Sequence, residues 1–140
     1  MFDAYRRFYE QPSDMDLARR FLEARLSRSE SVVLVAELHH GPLAGFCQLY
    51  PSFCSVLAQP IYTLYDLFVS QSHRQQGLAK ALLAAAAERA RRDGMARMDL
   101  TTAHSNHAAQ ALYESMGWVQ DRVFRTYNLS LAPATDLPCA

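Results

Sequence analysis

Several features that mark common protein classes are scarce or absent in this chain of 140 residues. Acidic and basic side chains balance at 14 each, so the formal net charge is zero. This balance argues against a nucleic-acid partner bound through bulk charge, and it gives no reason to expect a membrane partner. No apolar run approaches the length of a membrane-spanning helix. Half of the residues are hydrophobic, which excludes an intrinsically disordered chain and predicts one globular domain.

Cysteine is scarce as well, and its spacing predicts no metal site. Cys47, Cys54 and Cys139 form no Cys-x-x-Cys pair and no other metal-ligand spacing. The adjacent His39 and His40 follow a predicted strand, in a turn where solvated side chains are far more common than metal ligands. An odd number of cysteines without a signal peptide predicts a cytoplasmic protein, in which thiols remain reduced.

Glycine occurs five times, and one of these glycines, Gly77, stands in the most informative stretch of the chain. An apolar, β-branched and aromatic run at 64–69 is followed by a polar connection and then by an Ala/Leu-rich helical pattern. The first-turn N–H groups of such a helix have no partner inside it, and the positive end of its dipole points outward, so a phosphate is a natural ligand. Gly77 allows close approach of the backbone, and Arg74 can add a charge-assisted contact.

This phosphate-binding pattern differs from two familiar ones. No Gly-Lys-Ser/Thr follows, so the segment is not a P-loop, and a single glycine does not make a dinucleotide fingerprint. By itself, the segment is also compatible with an ordinary polar turn between a strand and a helix in any α/β domain.

Periodicity along the chain predicts an α/β domain with a mixed sheet over residues 1–131, followed by a flexible tail at 132–140. Ser13 is the expected N-cap of the second helix. The expected elements are helices within 1–11 and after Ser13, a hairpin of strands 31–38 and 43–50, a loop at 51–60, a strand at 64–70, a helix at 77–93, a strand at 96–102, a helix at 106–116, and final strands at 118–119 and 123–131.

A second motif turns the phosphate-binding pattern into a family resemblance. Residues 106–118 read Asn-His-Ala-Ala-Gln-Ala-Leu-Tyr-Glu-Ser-Met-Gly-Trp. Together with Arg-x-x-Gly-x-Ala at 74–79, this motif resembles the GNAT family of N-acetyltransferases, which use acetyl-coenzyme A (acetyl-CoA). The run Leu-Tyr-Asp-Leu-Phe-Val at 64–69 is similar to the corresponding strand of one branch of this family. That branch includes diamine, thialysine and histone/polyamine acetyltransferases. The resemblance extends over roughly residues 31–131.

The resemblance implies the GNAT fold, and transfer of an acetyl group from acetyl-CoA to a primary amine of a small molecule or a lysine-like acceptor, by direct attack in a ternary complex. It implies that Tyr113 protonates the departing thiolate. Asp66 and Glu37 are candidates for the base, with an ordered water chain as a further possibility. Acetyl-CoA would be bound by residues of both motifs and of the preceding strand: Leu67, Phe68, Val69, Arg74, Gln75, Gln76, Gly77, Leu78, Ala79, Lys80, Asn106 and Tyr113.

The sequence departs from the family pattern at three places. Tyr65 stands where polyamine acetyltransferases carry a glutamate. Gln75 stands where glycine is frequent, and a glutamine is unstrained there only if its φ is negative. The usual first strand is missing before the first helix, so either the strand is absent or the true start lies upstream. A homodimer is expected, as in the branch. The alternative function is a non-catalytic acyl-CoA-binding or regulatory module.

Overall fold

The computed structural model describes residues 1–39 and 41–131. His40, Cys139 and the predicted tail at 132–140 therefore lie outside the described residues. Backbone contacts divide the chain into two compact units, the first spanning Met1–Thr101 and the second beginning at Thr102.

The described residues of the first unit contain three α-helices, four strands and a short 3-10 turn, and those of the second unit contain one α-helix. In chain order these elements are α1 (Phe2–Phe8), α2 (Met15–Ser27), β1 (Val32–Glu37), β2 (Leu43–Cys54), β3 (Gln59–Val69), the 3-10 turn (Gln71–His73), α3 (Leu78–Arg92), β4 (Met98–Asp99) and α4 (His107–Ser115).

The four strands form one mixed sheet in the order β1-β2-β3-β4. The pairs β1-β2 and β2-β3 are antiparallel, and β3-β4 is parallel. The parallel pair is joined through α3, as a crossover connection requires. The predicted mixed sheet, the β1-β2 hairpin and the strand–helix–strand unit are therefore confirmed.

Side-chain alternation along β2 directs neighbouring residues to opposite faces of the sheet. A Cβ on Gly45 would lie 3.3 Å from Leu82, a residue of α3, so Gly45 faces that helix. The next residue, Phe46, makes edge-to-face ring contacts with Phe2 and Tyr5 of α1. Thus α3 covers one face of the sheet and the N-terminal aromatic residues cover the other.

Helix α3 is held to the sheet by a stripe of small and branched apolar residues. Leu82, Leu83, Ala86 and Ala90 are buried, and their spacing puts them on one side of the helix. Burial of each leucine contributes about 1.5–3 kcal/mol. This packing fixes where the N-terminal end of α3 stands relative to the end of β3.

The start of α2 differs from the prediction that Ser13 is its N-cap. Asp14 is the cap, because its side chain accepts a hydrogen bond from the Leu17 N–H at 2.8 Å. Ser13 instead donates to Oδ2 of Asp3, and the Asp14 N–H donates to Oδ1 of the same carboxylate, each at 2.8 Å. Asp3 in α1 therefore anchors the connection between the two helices.

The predicted loop at 51–60 is wrong, since β2 continues to Cys54, β3 starts at Gln59 and residues 55–58 form the turn. The bounding prolines misled the prediction. Pro51 is tolerated inside a strand because the pairing of β1 with β2 ends at Leu49, and beyond it β2 has β3 as its ladder partner. A proline without an N–H is compatible with a strand edge of this kind.

Strand propensity was also misleading near the end of the described chain. The structure assigns no strand to residues 118–131, and only Met98–Asp99 of the predicted strand 96–102. The Asp121 carboxylate accepts hydrogen bonds from the N–H groups of Val123 and Phe124, at 2.8 and 2.9 Å. These are N–H groups that a strand would use for pairing, so a local turn replaces the predicted strand start.

Candidate functional site

A cavity of about 260 Å³ lies in the first unit, between α1, α2 and the strands β2 and β3. Its lining is dominated by aromatic rings, with two ionisable groups of opposite charge among them, Asp66 and Arg6. The complete lining is Phe2, Tyr5, Arg6, Tyr9, Gln11, Phe21, Tyr50, Tyr65 and Asp66. An apolar cleft with a few polar groups is the usual form of a small-molecule site.

A β-bulge brings Tyr65 and Asp66 to the same cavity. The pairing of β2 with β3 matches Gln48 with Asp66 and then Leu49 with Leu64, so Tyr65 is an extra residue on β3. Regular alternation would send the two neighbours to opposite faces of the sheet. At the bulge both line the pocket, Asp66 buried and Tyr65 exposed, with its ring edge-to-face against Tyr50.

The Asp66 carboxylate belongs to a buried chain of polar side chains. Gln48 donates a hydrogen bond from Nε2 to Oδ2 of Asp66 at 2.7 Å, and Ser31 donates to Oε1 of Gln48 at 2.9 Å. Tyr5 also hydrogen-bonds to Asp66. Asp66 is 4% exposed and Gln48 is completely buried. The carboxylate is therefore oriented by side chains from β2 and α1.

Burial raises the pKa of Asp66 above its ordinary value, and the hydrogen bonds from Gln48 and Tyr5 offset part of that rise. Burial also raises the pKa of Tyr5, with a further contribution from its hydrogen bond to Asp66, so its hydroxyl remains protonated. A carboxyl group with a raised pKa in a cleft is a recognised signature of a proton-transfer group.

The loop between β3 and α3 has one feature that the sequence did not predict. Gln75 has φ +61°, in the left-handed region, so the condition of negative φ is not met. The side chain of Arg74 donates from Nε to the Val69 carbonyl at 3.2 Å, and its guanidinium lies 5.3 Å from the centre of the Phe8 ring. Arg74 thus holds the loop against the end of β3 and against α1.

The N-terminal end of α3 fits a phosphate-bearing ligand. Gly77 is the N-cap with φ +78°, and apart from its chain neighbours no residue has an atom within 4 Å of the place that its Cβ would occupy. The helix begins its hydrogen bonding with the Ala81 N–H donating to the Gly77 carbonyl at 3.0 Å. The N–H groups of the three residues between them have no acceptor within the helix. An oxyanion can approach these groups closely.

The end of β3 keeps one edge available for pairing. In the ladder of the described residues, β4 pairs with β3 at Tyr62 and Thr63, whereas β2 pairs with the other edge of β3 as far as Val69. Leu67, Phe68 and Val69 lie beyond the end of β4. An extended amide-containing group can add to such an edge like a further strand.

The second unit contains the other predicted residues. Asn106 caps α4, since its side-chain oxygen accepts a hydrogen bond from the Ala109 N–H at 3.3 Å. Tyr113 is half-buried, and its ring centre lies 6.1 Å from that of Trp118. Gly117, with φ +87°, follows the end of the helix, as the glycine in the motif predicted.

Comparison with known proteins identifies the family. The sequence profile of the Acetyltransferase (GNAT) family matches residues 1–118. The chain belongs to the GNAT family of acetyltransferases. It is 44% identical to the uncharacterized N-acetyltransferase YhfO of Bacillus subtilis over 131 aligned residues. The aligned segment covers 94% of this chain and 87% of that protein.

Solved structures agree with the family assignment. A crystal structure of a probable acetyltransferase matches this GNAT protein with a TM-score of 0.88 and 40% identity, over 94% of this chain and 88% of the other. A complex of AAC(6')-Iy with the bisubstrate analog CoA-S-monomethyl-acetylneamine shares the fold, with a TM-score of 0.73 and 22% identity over 91% of this chain and 89% of that one. The predicted fold class and enzyme class are confirmed, and GNAT enzymes use acetyl-CoA.

The predicted site residues of this GNAT acetyltransferase fall into two groups. Asp66, Leu67–Val69 and Arg74–Lys80 follow one another in the first unit, from β3 to the first turn of α3, whereas Asn106 and Tyr113 belong to the second unit. Glu37, the other candidate base, is exposed and does not line the cavity. The residue of β1 that pairs with Gln48 is four positions away from Glu37, so the Cα atoms of these two β1 residues are roughly 13 Å apart.

Two polar groups were not among the predicted site residues: Arg6, which lines the pocket, and Gln48, which lies buried behind Asp66. Gln48 gave a signal, since it is the polar residue inside an otherwise apolar run of β2, but its partner depends on the register at the bulge. Arg6 gave none, because an arginine among the aromatic residues of a short helix has the pattern of a solvated face. The first two helices also contribute Phe2, Tyr5 and Phe21 to the lining.

The described residues contain neither a cluster of metal ligands nor a membrane-spanning helix. Within residues 1–39 and 41–131, no three or more His, Cys, Asp or Glu side chains are grouped so that they could hold a metal ion. Over the same ranges, no helix has the length and apolar character needed to cross a bilayer.

Proposed function

We propose that this acetyltransferase transfers an acetyl group from acetyl-CoA to the primary amine of a small molecule, and that the aromatic pocket receives that amine. The observation that carries the proposal is the buried carboxylate of Asp66 at the pocket wall, immediately before the open edge of β3. An alkylammonium group supplies the opposite charge that this carboxylate lacks among its hydrogen-bond partners Gln48 and Tyr5.

Asp66 acts as the general base in this proposal. A primary amine with a pKa near that of lysine, about 10.4, is protonated at neutral pH and cannot attack. Transfer of one ammonium proton to Asp66 frees the nitrogen lone pair. The nitrogen then forms a bond to the thioester carbon as the carbon–sulfur bond breaks. The nitrogen then loses its second proton, and the sulfur takes a proton from Tyr113. Tyr113 regains one proton and Asp66 releases the one it took, so each turnover releases one proton net.

Acetyl-CoA is held in this proposal by two parts of the first unit, the end of β3 and the N-terminal end of α3. The backbone of Leu67, Phe68 and Val69 pairs with the pantetheine arm along the open edge of β3. The segment Arg74–Lys80 receives the pyrophosphate at the N-terminus of α3, where Gly77 leaves room for it. The assignments of Tyr113 and Asn106 rest on the second motif, and Asn106 also fixes the start of α4.

Finer assignments of branch, acceptor, oligomeric state and location accompany this function. The run Leu-Tyr-Asp-Leu-Phe-Val in β3 supports a place in the branch of diamine, thialysine and histone/polyamine acetyltransferases. Tyr65, which replaces a glutamate of the polyamine enzymes, points to an acceptor other than a polyamine. We further infer a homodimer that works in the cytoplasm, without nucleic acid or membrane partners; sedimentation equilibrium would measure its mass.

The experiment for acetyl-CoA binding is a thermal shift with acetyl-CoA and with free CoA. The wild-type protein is expected to be stabilised by both, since a ligand that binds the folded state raises its melting temperature. Gly77→Asp is expected to lose this shift, because a carboxylate would occupy the phosphate approach. Gly94→Asp is the matched control, as this glycine also has positive φ and open space at its Cβ, but stands at the other end of α3.

Transfer itself is measured as CoA thiol released from acetyl-CoA in the presence of a panel of amines. The proposal predicts release with at least one class of small amine. Binding of acetyl-CoA without release for any amine would support the alternative non-catalytic module over the proposed reaction. An equal loss of the thermal shift in Gly77→Asp and Gly94→Asp would contradict the proposed pyrophosphate site.

A further inference from the structure

Arg6 is the one cationic side chain in the lining of the aromatic pocket. It belongs to α1, directly after Tyr5, whose hydroxyl bonds to Asp66. The side chain of Arg6 is 16% exposed, so most of it is withdrawn from water. Its Nη1 atom is buried and has no hydrogen-bond partner among the described residues. A buried guanidinium nitrogen without a partner is costly, and its retention calls for an explanation.

The neighbouring acid does not satisfy Arg6. Asp3 lies 3.6 Å from Nη1, which is an ion-pair distance but too long for a hydrogen bond. Both carboxylate oxygens of Asp3 already accept short bonds, from the Ser13 hydroxyl and from the Asp14 N–H. Asp3 therefore offsets part of the charge of Arg6 without hydrogen-bonding to Nη1, and Arg6 itself lines the pocket.

We propose that the amine acceptor also carries a carboxylate, and that Arg6 binds this carboxylate while Asp66 takes the amine. The inference rests on the proposed function. The two opposite charges line one cavity, so together they match a zwitterion better than they match a simple amine. Guanidinium and carboxylate form charge-assisted pairs, often with two parallel hydrogen bonds. Arg6 is thus a specificity-determining residue.

The size of the cavity points to a compact acceptor. Its volume of about 260 Å³ is below the range of roughly 300–1,000 Å³ that is usual for drug-sized ligands. The aromatic walls formed by Phe2, Phe21 and Tyr50 favour an apolar body between the two charged ends. A small amino acid with an apolar or alkyl side chain meets all three conditions.

The first test uses the wild-type protein and pairs of acceptors that differ by a carboxylate. The pairs are L-leucine with 3-methylbutylamine, L-phenylalanine with 2-phenylethylamine, and L-lysine with 1,5-diaminopentane; L-leucine methyl ester neutralises the carboxylate without removing it. The expected result is a kcat/KM at least about tenfold higher for the carboxylated member of an accepted pair, the size of one charge-assisted contact. The ester amine is more easily deprotonated, so basicity alone would favour the ester.

The second test uses variants of two adjacent arginines of α1. Arg6→Gln is expected to reduce the preference for the carboxylated acceptor about 10- to 100-fold, mainly through KM, and to change kcat/KM for the decarboxylated amine much less. Arg6→Lys keeps the charge and is expected to retain part of the preference. Arg7→Gln removes the same charge from an exposed neighbour that does not line the pocket. This variant is expected to keep the full preference for the carboxylated acceptor. The thermal shift with acetyl-CoA verifies that each variant is folded.

The results of these two tests distinguish carboxylate binding by Arg6 from the acetylation of small amines on which it rests. Equal or faster acetylation of decarboxylated amines would overturn the role of Arg6 and leave the proposed amine acetylation intact. Equal effects of Arg6→Gln and Arg7→Gln would also overturn it. Thiol release with none of these compounds, despite acetyl-CoA binding, would contradict both the carboxylated acceptor and the small-amine reaction.

Discussion

Gln48 donates a hydrogen bond to Asp66 across the β2-β3 pair, at 2.7 Å, at the point where the pairing register shifts. The amide oxygen of Gln48 is occupied in turn by the Ser31 hydroxyl at 2.9 Å, which fixes which end of the amide faces the carboxylate. This relationship holds a buried carboxylate in one orientation toward the aromatic pocket. It also links the base of the proposed reaction to the stability of the sheet.

We expect Gln48→Met to destabilise the protein by about 1–3 kcal/mol, because the Asp66 carboxylate and the Ser31 hydroxyl would each lose a buried partner. The hydrogen bond from Gln48 lowers the pKa of Asp66, so its loss should raise that pKa further. The acid limb of the kcat/KM profile should therefore move to higher pH. Denaturant unfolding and a pH–rate profile would measure the two effects.

Gln59→Met provides the control for this substitution, since Gln59 is an exposed residue at the start of β3. It is expected to change neither unfolding nor the pH profile appreciably. A Gln48→Met protein with the wild-type pH profile would contradict the role of Gln48 in orienting the base.

Asp3 should make the stability of the protein sensitive to acid. Its pKa is lowered, first by the hydrogen bond from the Asp14 N–H and then by that from the Ser13 hydroxyl. The stabilisation by Asp3 is therefore present above its unfolded pKa, near 3.8, and is lost as the pH falls through the lower folded value. Asp3→Asn should cost more stability at pH 7 than at pH 3 in urea titrations; an equal cost at both would contradict the carboxylate contacts.

Because the backbone is strained at Gln75, we expect glycine substitutions at Gln75 and at Gln76 to change the free energy of unfolding in opposite directions. Gln75 has φ +61°, where a side chain costs about 1–2 kcal/mol that glycine does not pay. Glycine has a larger backbone entropy in the unfolded chain, worth about 0.5–1 kcal/mol. Gln75→Gly should therefore be neutral to slightly stabilising. Gln76→Gly, at a position without positive φ, should destabilise; thermal melts that reverse this order would contradict the loop geometry.

Tyr113→Phe should test the proposed proton donor. Removal of the hydroxyl keeps the ring beside Trp118, so we expect little effect on folding. General-acid catalysis contributes typically about 10²–10⁴-fold, and kcat should fall by a factor within that range while acetyl-CoA binding persists. Trp118→Phe is the control for ring packing. Undiminished kcat in Tyr113→Phe would remove Tyr113 from the mechanism.

Much of the segment from β3 to α3 could be predicted from the sequence because its signals are local. The apolar run at 64–69 and the Leu/Ala-rich helix after Gly77 each depend on a few neighbouring residues, and the strand and the helix are confirmed. The positive φ of Gly77 was not predicted. The capping residue Asn106 and the glycine after α4 were predictable for the same reason.

The rest of the site depends on contacts between distant residues. The pairing of Gln48 with Asp66 requires the register set by the bulge at Tyr65, which no local pattern encodes. The place of Arg6 in the pocket depends on how α1 packs on the sheet. The predicted strand at 123–131 was wrong because propensity counts side-chain types and not the pairing of N–H groups, which Asp121 takes up locally.

The most direct test of the account compares CoA thiol release by the wild-type protein, Asp66→Asn and Asp16→Asn with the amine on which the wild type acts best. Asn keeps the size of the buried side chain and cannot take the ammonium proton, whereas Asp16 is exposed in the first turn of α2. We expect Asp66→Asn to bind acetyl-CoA normally and to lose about 10²–10⁴-fold in kcat/KM, and Asp16→Asn to match the wild type. Full activity of Asp66→Asn would contradict the central claim that this carboxylate is the base.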